Sequence, residues 1–467
     1  MVSALERLLS ELGDAVSVEA ARLQAVRTDK SGWVAEGLPL ALVEATSVQQ
    51  VQATMRIASE YRVPVVPRGA GTGLAGGANG TNGAIVLSVA RMNRILEISP
   101  QDGLAVIEPG IINAELNDAL VQHGLWFAPD PASKAISSVG GNIATNAGGL
   151  LCAKYGVTRE AVLGLSVVLA DGRLLETGHR TVKGVTGYDL TALFVGSEGT
   201  LGVIVGATVR VLPLPEGGVR TIGAVFPDVE SAAAAAASVT AAHLRPAVME
   251  LLDAPSLTLI SAHLGADVVE AATGVGALET AAAGSTPIGA YLLVQFDGSA
   301  AAADAERALP LIAAEGGSAR LSSDEAEGEA LLAIRRAFHP SLAATGEVLI
   351  EDVAVPRSRM PEMFRAIEEI GARHGVSIPT VAHAGDGNLH PNFIYTGDTV
   401  PDAVWAAADE LFQTALRLGG TLTGEHGVGV LKRRWLADEL GETSFKLQSE
   451  LKAVFDPLGI LNPGKVF

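Results

Sequence analysis

The sequence predicts an α+β protein of more than one domain, and three observations lead to this fold class. The chain has 467 residues, which is more than one hydrophobic core usually organises. Helical and strand patterns alternate from about residue 46 to 215, with dense glycine clusters between them. Beyond residue 216 the pattern changes to alanine-rich runs. We therefore expect an α/β half followed by an α+β half.

Composition excludes several classes of protein. Hydrophobic residues make up 48% of the chain and charged residues 18%, which is typical of a globular protein and not of a disordered one. The net charge of −19, without any Lys/Arg run, argues against a nucleic-acid scaffold. Cys152 is the only cysteine, which excludes an internal disulfide and an iron–sulfur cluster held by this chain. A reducing compartment fits best.

The amino-terminal segment predicts a surface helix. From Met1 to Leu12, leucines recur at helical spacing with charged residues between them. A signal peptide would need a basic start and an unbroken apolar stretch, and a membrane span about 20 apolar residues in a row. Neither pattern is found, so we expect a cytoplasmic protein without a membrane span.

Helices and strands follow in the first half. Ser47 to Tyr61 predicts a helix that leads into the strand Val63 to Pro67. Residues 85–89 and 104–108 predict two more strands. Residues 113–122 predict a helix that is ended by Gly124. The Asp171-Gly172 pair between two apolar runs predicts a tight hairpin. We therefore expect a mixed sheet, not a purely parallel one.

The remaining chain predicts two further parts. Alanine runs at 232–237 and 281–283 predict helices, and the few polar clusters of this region are typical of solvated helix faces. The stretch from about residue 335 to the carboxyl end contains the histidines of most interest, His383, His390 and His426, three of the nine in the chain. We place one domain at 1–215, a second at 216–430 and a closing helical segment at 431–467.

The first glycine cluster directly follows a strand. Glycines let backbone N–H groups converge on an anion and form a nest for phosphate oxygens. The cluster is neither a Walker A motif nor the usual dinucleotide fingerprint, because the Lys-Ser ending is missing and no helical pattern follows. Alone, it is also compatible with a glycine-rich surface loop. Its candidate binding residues are Pro67, Arg68, Gly69, Ala70, Gly71, Thr72, Gly73, Leu74 and Gly76.

Two further glycine-rich segments make the surface-loop interpretation less attractive, because three such loops suit a large extended cofactor. Candidates in the second segment, which we expect to be a loop, are Pro129, Asp130, Ser133, Val139, Gly140, Gly141, Asn142, Ala144, Thr145, Asn146, Gly148 and Tyr155. Candidates in the third, which precedes a strand, are Glu198, Gly199, Gly202, Val203 and Ile204.

These loops resemble the FAD-binding domain of the vanillyl alcohol oxidase and para-cresol methylhydroxylase superfamily over about residues 41–215. The resemblance implies that residues 68–76 hold the pyrophosphate, that 130–146 run along the ribityl and isoalloxazine portions, and that Ile204 contacts the adenosine side. Asn462, near the carboxyl end, resembles the family's return to the flavin. The first loop has no His or Cys, and Cys152 does not align with the family's bridging cysteine, so we expect non-covalent FAD.

A histidine cluster carries the remaining chemistry. His383 and His390 flank a Gly-Asp-Gly turn that can fold them toward one point, which is metal-ligand geometry in outline. Asn392 follows His390 by two residues, so on a strand both side chains share a face. Glu425 and His426 stand side by side between glycines. A lone histidine is more often structural, but this combination favours a functional site.

This half resembles the carboxy-terminal region of the FAD-linked D-2-hydroxy acid dehydrogenases, a family that includes the glycolate oxidase catalytic subunit, D-lactate dehydrogenases and D-2-hydroxyglutarate dehydrogenase. The resemblance implies a substrate domain in which His383, His390 and Glu425 bind a divalent metal such as zinc, manganese or iron. It also implies that Asn392 contacts the substrate and His426 is the base. Arg335 matches the family's anchoring arginine, with an ordinary arginine on a helix surface as the alternative.

The implied chemistry is coherent. Oxidation of a 2-hydroxy acid to a 2-oxo acid sends a hydride from Cα to flavin N5 while a base takes the hydroxyl proton. A metal bound to that hydroxyl acidifies it, and a guanidinium suits the substrate carboxylate. Ile350 and His339 align with a lysine and a threonine of the hydroxyglutarate branch. Glycolate or D-lactate is therefore favoured, with D-2-hydroxyglutarate as the alternative.

Other interpretations remain open. The chain has no iron–sulfur motif and no quinone-binding membrane segment, so we expect a separate protein, a soluble carrier or oxygen as electron acceptor. A homodimer and a subunit of an oxidase complex are both compatible with the sequence. A non-catalytic flavin-carrying subunit is one rival function. A flavin-dependent transferase of the same superfamily is another, although the consecutive histidines of that branch are absent.

Overall fold

The computed structural model describes residues 3–266, 268–269, 288–397 and 399–467. The chain forms two compact units. Unit 1 comprises Met1–Gly149, Gly156–Leu214 and Glu425–Phe467, and unit 2 comprises Leu150–Tyr155 and Pro215–Gly424. The described part of the chain contains no helix with the length and apolar character that a bilayer crossing requires.

Unit 1 contains eleven short strands among its described residues. They are β1 (Val16–Ser17), β2 (Ala41–Glu44), β3 (Val65–Arg68), β4 (Ile85–Ser88), β5 (Ile95–Ser99), β6 (Leu104–Ile107), β7 (Leu125–Trp126), β8 (Val162–Val168), β9 (Leu174–Gly178), β10 (Val203–Arg210) and β11 (Leu212–Pro213). One sheet has the order β1-β2-β4-β3, a second has the order β5-β6-β10-β8-β9, and β7 pairs with β11.

The predicted mixed sheet is confirmed, but the strands of unit 1 do not all belong to it. In the four-stranded sheet β4 lies parallel to both β2 and β3, whereas β1 is antiparallel to β2. The five-stranded sheet is wholly antiparallel. It contains the predicted Asp171-Gly172 hairpin as β8 and β9, which confirms the turn. The local turn signal is therefore correct, but it belongs to a separate sheet, which only long-range pairing determines.

The helices of unit 1 include those expected from hydrophobic spacing, and these predictions are confirmed to within three residues. The amino-terminal helix is held by a capping box between Ser3 and Glu6, and it buries Leu8 and Leu12. The helices are Ala4–Leu12, Ala20–Ala25, Val48–Tyr61, Asn113–Val121, Val139–Thr145, Thr158–Ala161, Leu190–Phe194 and Leu436–Phe455, with 3-10 turns at Gly13–Ala15 and Arg433–Trp435.

Part of the second glycine-rich segment is a helix and not the loop that its Gly and Asn content predicted. Val139–Thr145 is helical and ends at Asn146, which adopts a left-handed conformation (φ 51°). A Cβ atom on Gly140 would lie 2.4 Å from Cβ of Pro109. Close packing against Pro109 therefore requires glycine here, and this tertiary contact outweighs its low helix propensity.

Unit 2 is built on one antiparallel sheet. Its strands are β12 (Arg220–Phe226), β13 (Val248–Asp253), β14 (Ala290–Phe296), β15 (Ser318–Leu321), β16 (Glu347–Ile350), β17 (Val353–Ala354), β18 (Thr380–His383) and β19 (Asn388–Tyr395). The strand order is β15-β12-β14-β13-β18-β19-β16, and β17 also pairs with β19. Together with the helices that pack on the sheet, this confirms an α+β arrangement.

Helices of unit 2 pack on this sheet around an apolar core that includes Leu252, Tyr291 and Val381. They are Cys152–Tyr155, Val229–Ala241, Ala254–Leu264, Ala301–Ala314, Glu325–Arg336, Phe338–Ala343, Met360–His374 and Asp402–Arg417, with a 3-10 turn at Arg357–Arg359. The helix expected at 232–237 is confirmed. The helix expected at 281–283 lies outside the described residues.

Candidate functional site

The three glycine-rich segments meet within unit 1. The backbone N–H of Ala70 in the first segment donates to Oγ of Ser138 in the second, at 3.3 Å. A Cβ on Gly69 would lie 2.5 Å from the same oxygen. The third segment joins the second through the N–H of Glu198, which donates to the carbonyl of Ala144 at 2.8 Å. Segments separated by up to about 130 residues of sequence thus form one continuous backbone surface.

Glu198 ties this surface to the carboxy-terminal part of unit 1. Its buried carboxylate accepts the backbone N–H groups of Val428 (2.7 Å) and Gly429 (2.9 Å). Burial raises the pKa of Glu198 to about 7, even though these two donors and the nearby Lys432 and Lys465 lower it. The side chain of Glu198 therefore binds backbone N–H groups of this chain, and burying its negative charge costs free energy of solvation.

Asn462 completes the same junction. Its side-chain amide donates to the carbonyl oxygens of Glu198 (2.7 Å) and Gly77 (3.0 Å). Its own backbone N–H donates to the carbonyl of Val65 in β3 at 2.8 Å. The residue adopts a left-handed conformation with φ 44°, which asparagine tolerates better than most residues. One side chain thus joins the first and third glycine-rich segments.

One buried and one half-buried cation belong to this part of unit 1. The guanidinium of Arg68 donates to the carbonyl oxygens of Ala78 (2.8 Å) and Thr28 (3.0 Å). The ammonium of Lys465 donates to the carbonyl of Asn79 at 2.6 Å, and burial lowers the pKa of Lys465 to about 7. Arg68 was predicted from the glycine-rich motif, whereas Lys465 was not. Both bring positive charge to the first glycine-rich segment.

A buried donor without a partner tests whether FAD fits this surface. Asn142 is 4% exposed, and its Nδ2 has no hydrogen-bond partner among the described residues. Buried amide groups almost always have a partner, so a ligand acceptor such as a ribityl hydroxyl or a ring carbonyl suits this position. Backbone N–H groups at the glycines and the charges of Arg68 and Lys465 suit a pyrophosphate. The residues therefore fit FAD.

Other residues predicted to bind the cofactor have identifiable neighbours. The carbonyl of Pro129 accepts the side-chain amide of Asn113 at 2.9 Å, and Asp130 lies 3.8 Å from the ammonium of Lys134. Tyr155 belongs to unit 2. There its hydroxyl donates to Asp297 at 2.6 Å.

The β18–β19 hairpin of unit 2 brings His383 and His390 together. In its register His383 lies opposite Asn388 and Val381 lies opposite His390, so the two histidines are diagonal neighbours on one face of the sheet. Their ring centroids are 5.0 Å apart. The ring nitrogens that they could offer to a metal ion lie within 4.8 Å of one another. Both residues are buried, so the pair suits a bound cation.

Glu250 lies against this pair on the neighbouring strand, β13. It is directly opposite His383 in the β13–β18 register, and its Oε1 lies 2.6 Å from Nδ1 of His383. Its other carboxylate oxygen accepts a hydrogen bond from Nε of Arg335 at 2.6 Å. Burial alone would raise the pKa of Glu250, but His383 and Arg335 outweigh it and hold that pKa below its ordinary value.

Arg335 is not an arginine of a helix surface, which was the alternative interpretation. Only 9% of its side chain is exposed, although it lies on the helix Glu325–Arg336. The hydrogen bond from Nε is the only one its guanidinium makes within the described residues. The terminal nitrogens Nη1 and Nη2 therefore remain for another anion.

Asn392 and Ile350 continue this polar face. The two lie opposite one another in the β16–β19 register. Asn392 is fully buried, and its Nδ2 donates to the carbonyl of His390 at 2.7 Å. Its Oδ1 accepts no hydrogen bond within the described residues. His339 is exposed on its helix. Oδ1 of Asn392, which has no partner within the described residues, thus belongs to a residue that lies opposite the apolar Ile350.

Glu425 and His426 begin the last segment of unit 1. Both are half-buried. Gly424, the preceding residue and the last of unit 2, donates its N–H to Oδ2 of Asp352 at 2.6 Å. Gly148 provides the space for Glu425, because a Cβ on Gly148 would lie 2.6 Å from Oε2 of Glu425. Glu425, the predicted metal ligand, and His426, the predicted base, therefore come directly after a residue whose backbone is held by a hydrogen bond.

Glu250 is the principal site residue that the sequence analysis missed. The region around it was interpreted as helices with solvated polar faces. A signal was nevertheless present, because Val248–Asp253 is an apolar strand with an acidic residue at its third position. A carboxylate inside such a strand must find a partner when it is buried. Only the strand register identifies that partner as His383.

Two family models match the chain. The model described as "FAD linked oxidases, C-terminal domain" matches residues 218–466, and the model described as "FAD binding domain" matches residues 39–178. Together they cover both of the regions in which we found the clustered residues.

Among curated proteins, the chain is 40% identical to "Glycolate oxidase subunit GlcD" of Bacillus subtilis, over 92% of this chain and 90% of that one. It is 35% identical to the protein of the same name from Escherichia coli, over 91% and 83%. It is 34% identical to "D-lactate dehydrogenase" of Anaerostipes hadrus, over 94% and 91%. The similarity therefore extends through both units.

Solved structures share the fold. p-Cresol methylhydroxylase superposes with a TM-score of 0.80 at 19% identity, over 99% of this chain and 96% of that one. Alkyldihydroxyacetonephosphate synthase superposes with a TM-score of 0.74 at 19% identity, over 98% and 84%. These likenesses confirm the predicted fold class, a vanillyl alcohol oxidase type of FAD-binding domain with an α+β carboxy-terminal domain.

Proposed function

This chain belongs to the family of FAD-linked oxidases, and from that premise we propose that it oxidises a small D-2-hydroxy acid to the 2-oxo acid with the help of a divalent metal. Glycolate and D-lactate are the favoured substrates, and D-2-hydroxyglutarate is the alternative. The observation that carries the proposal is the buried polar face of unit 2. There the carboxylate of Glu250 lies within hydrogen-bond distance of both His383 and Arg335.

The general activity follows from family membership. The chain is a FAD-linked oxidoreductase of the glycolate oxidase and D-lactate dehydrogenase type, which acts on CH–OH donors. FAD is the cofactor of its FAD-binding domain. When bound, FAD supplies the acceptor for the hydride that leaves Cα, and a divalent cation supplies a Lewis acid for the hydroxyl oxygen.

We assign His383, His390 and Glu425 as the metal ligands. Two imidazoles and a carboxylate make a ligand set that suits zinc, manganese or iron. The 5.0 Å separation of the two histidine rings supports the assignment. So does the hydrogen bond from His383 to Glu250, because metal-binding histidines usually donate their other ring nitrogen to a carboxylate or carbonyl.

The roles of the remaining residues follow from their chemistry. His426 takes the hydroxyl proton, since a neutral imidazole is the side chain best matched to proton transfer near neutral pH. Arg335 binds the substrate carboxylate through its two terminal nitrogens, which form a planar fork. Oδ1 of Asn392, which is buried without a donor among the described residues, accepts a hydrogen bond from the substrate.

Ile350 supports a small monocarboxylate. It lies opposite Asn392, and an isoleucine offers no hydrogen bond or charge to a second carboxylate. Burying the distal carboxylate of hydroxyglutarate beside it would leave that anion unpaired, which is unfavourable. Glycolate and D-lactate have no second carboxylate, so they avoid this cost.

The proposal also includes an electron acceptor separate from this chain, either another protein, a soluble carrier or oxygen. Two relatives carry the name of a glycolate oxidase subunit, which supports a role for this chain within a multi-subunit oxidase. A homodimer is the alternative assembly. The single cysteine favours a reducing compartment such as the cytoplasm.

Anaerobic flavin reduction tests the proposal directly. FAD-loaded protein is mixed with glycolate, D-lactate, L-lactate and D-2-hydroxyglutarate, and the flavin absorbance is followed with and without a chelator. We expect bleaching by glycolate and D-lactate that is slowed at least about a hundredfold by metal removal or by His426→Ala.

Substitution of the exposed His123 provides the matched control, and His123→Ala should bleach at the wild-type rate. Bleaching by L-lactate alone would contradict the proposed preference for D-hydroxy acids. An unchanged rate in the presence of the chelator would contradict a role for the metal, and normal bleaching of the His426→Ala variant would contradict His426 as the base. Failure with every hydroxy acid would instead support a flavin-carrying subunit.

A further inference from the structure

We infer that Glu250 is a positioning residue that sets the orientation of both the metal ligand His383 and the substrate-binding Arg335. The inference rests on the proposed function and extends it to a residue outside the ligand set. A single buried carboxylate lies between two functional side chains, with a distance of 2.6 Å to each. We argue this role from the register, the donor chemistry and the burial of these three residues.

The register places the carboxylate. Residues directly opposite one another in antiparallel strands have their side chains on the same face and their Cβ atoms about 5 Å apart. Glu250 and His383 are such a pair. The glutamate therefore reaches the imidazole from the adjacent strand, without any loop whose movement would change the distance.

The carboxylate selects one tautomer of His383. An ionised carboxylate only accepts hydrogen bonds, so Nδ1 of His383 must carry the hydrogen that points to Oε1 of Glu250. The lone pair of the neutral ring is then on Nε2, which is the nitrogen that would bind a metal ion. Without this acceptor, either tautomer would be available.

The same carboxylate orients Arg335. Among the described residues, Oε2 accepts only the Nε hydrogen, and this leaves the terminal fork of the guanidinium directed elsewhere. Substrate carboxylates are bound most specifically through two parallel N–H donors. Glu250 therefore fixes the plane of the fork while leaving its two terminal nitrogens available.

Burial makes these interactions specific. Glu250 is 0% exposed, so no bulk water competes for its oxygens. Removing one member of a buried charged pair leaves the other without compensation. A substitution that keeps the shape and removes the charge, Glu250→Gln, is therefore the informative change, because a glutamine cannot accept from both donors.

Metal affinity of the FAD-loaded protein tests the inference. Zn²⁺, and separately Mn²⁺, is titrated against a chromophoric chelator with the wild type, Glu250→Gln, Glu250→Asp and His383→Ala. We expect Glu250→Gln to weaken Zn²⁺ binding by about 10- to 100-fold with unchanged FAD content. Glu250→Asp keeps the charge and should recover part of this loss. It also remains informative if the glutamine variant does not fold.

Asp253→Asn is the matched control. Asp253 is a buried carboxylate on the same strand that accepts backbone N–H groups of Ser256 (2.9 Å) and Thr380 (2.8 Å) and makes no hydrogen bond to His383 within the described residues. Its variant should bind Zn²⁺ within about twofold of the wild type. An equal loss in Asp253→Asn and Glu250→Gln would show a general packing effect and overturn the inference.

The outcomes separate this inference from the proposed metal centre. If neither metal binds the wild type, or if His383→Ala binds as well as the wild type, the metal centre and the role of Glu250 both fail. If His383→Ala loses binding but Glu250→Gln does not, only the role of Glu250 fails. Nitrogen-15 NMR of histidine-labelled, metal-free protein provides a second readout, in which His383 should be protonated at Nδ1. Protonation at Nε2 alone would overturn the inference.

Discussion

The carboxylate of Glu425 occupies space that only a glycine at position 148 leaves open. A Cβ atom on Gly148 would lie 2.6 Å from Oε2 and 3.3 Å from Cβ of Glu425. The first distance is shorter than a non-bonded carbon and oxygen keep, so the carboxylate would have to shift. The two residues are 277 positions apart in the sequence. The glycine thus determines where the carboxylate of a proposed metal ligand lies.

Gly148→Ala should therefore weaken metal binding although no ligand is changed. The added methyl group displaces the Glu425 carboxylate, and changes next to a ligand typically cost about 10- to 100-fold in affinity. Chelator competition with Zn²⁺ measures the loss. Gly218→Ala is the control, since the nearest atom to a Cβ there is 4.0 Å away. Equal affinity in the two variants would contradict the steric argument.

Asn392→Ala should lower kcat/KM for D-lactate by about tenfold. Loss of one hydrogen bond between the buried Oδ1 and the substrate corresponds to about 1.4 kcal/mol. Stopped-flow flavin reduction measures the rate, and thermal unfolding checks that the fold persists. An unchanged kcat/KM in a folded variant would exclude Asn392 from substrate binding.

Stability should depend on pH through Glu198. Its pKa rises from 4.5 to about 7 on folding, so the folded state keeps a proton that the unfolded state releases over this range. The stabilising contribution is present below pH 4.5 and is lost as the pH rises to about 7. We expect the difference in free energy of unfolding, wild type minus Glu198→Gln, to fall by up to about 3 kcal/mol.

Urea denaturation of the flavin-free proteins between pH 5 and pH 8 measures this difference. Glu60→Gln, at an exposed position of the helix Val48–Tyr61, is the control and should show a much smaller change with pH. A difference between wild type and Glu198→Gln that stays constant over the range would contradict the expected protonation.

Asn462→Ala should destabilise unit 1 and weaken FAD binding together. The substitution removes the donors to the carbonyl oxygens of Gly77 and Glu198, and each buried carbonyl left without a donor costs about 1–3 kcal/mol. Flavin fluorescence measures the dissociation constant, and urea denaturation measures the stability. Gln101→Ala, at an exposed turn, is the control. Unchanged FAD affinity would show that Asn462 only supports the fold.

Several features were predicted from the sequence because their signals are local. Helical spacing gave the helices Ala4–Leu12 and Val48–Tyr61, and the Asp171-Gly172 pair gave the β8–β9 hairpin. The turn between His383 and His390 predicted that the two rings face one point, and their centroids are 5.0 Å apart. Each of these features can be predicted from a short stretch of sequence, because hydrophobic periodicity and turn-forming residues act over a few positions.

The features that the sequence did not predict depend on contacts between distant segments. Val139–Thr145 is helical although its glycines predicted a loop, and Gly140 there leaves space for Pro109. Lys465 is buried against the carbonyl of Asn79, which no local pattern indicates. The strands of unit 1 divide among three sheets, because strand pairing, unlike strand formation, is decided by partners elsewhere in the chain.

For the candidate site, the sequence by itself determined which residue types are present and which of them are close along the chain: the glycine-rich segments, the histidine pair and the Glu425-His426 step. Only the tertiary structure decided that Glu250 serves His383 and Arg335, that Gly148 makes room for Glu425, and that Asn462 joins two glycine-rich segments. The physical reason is that hydrogen bonds and steric contacts act over about 3 Å in space, and the register of β13 against β18 brings residues 133 positions apart within that distance.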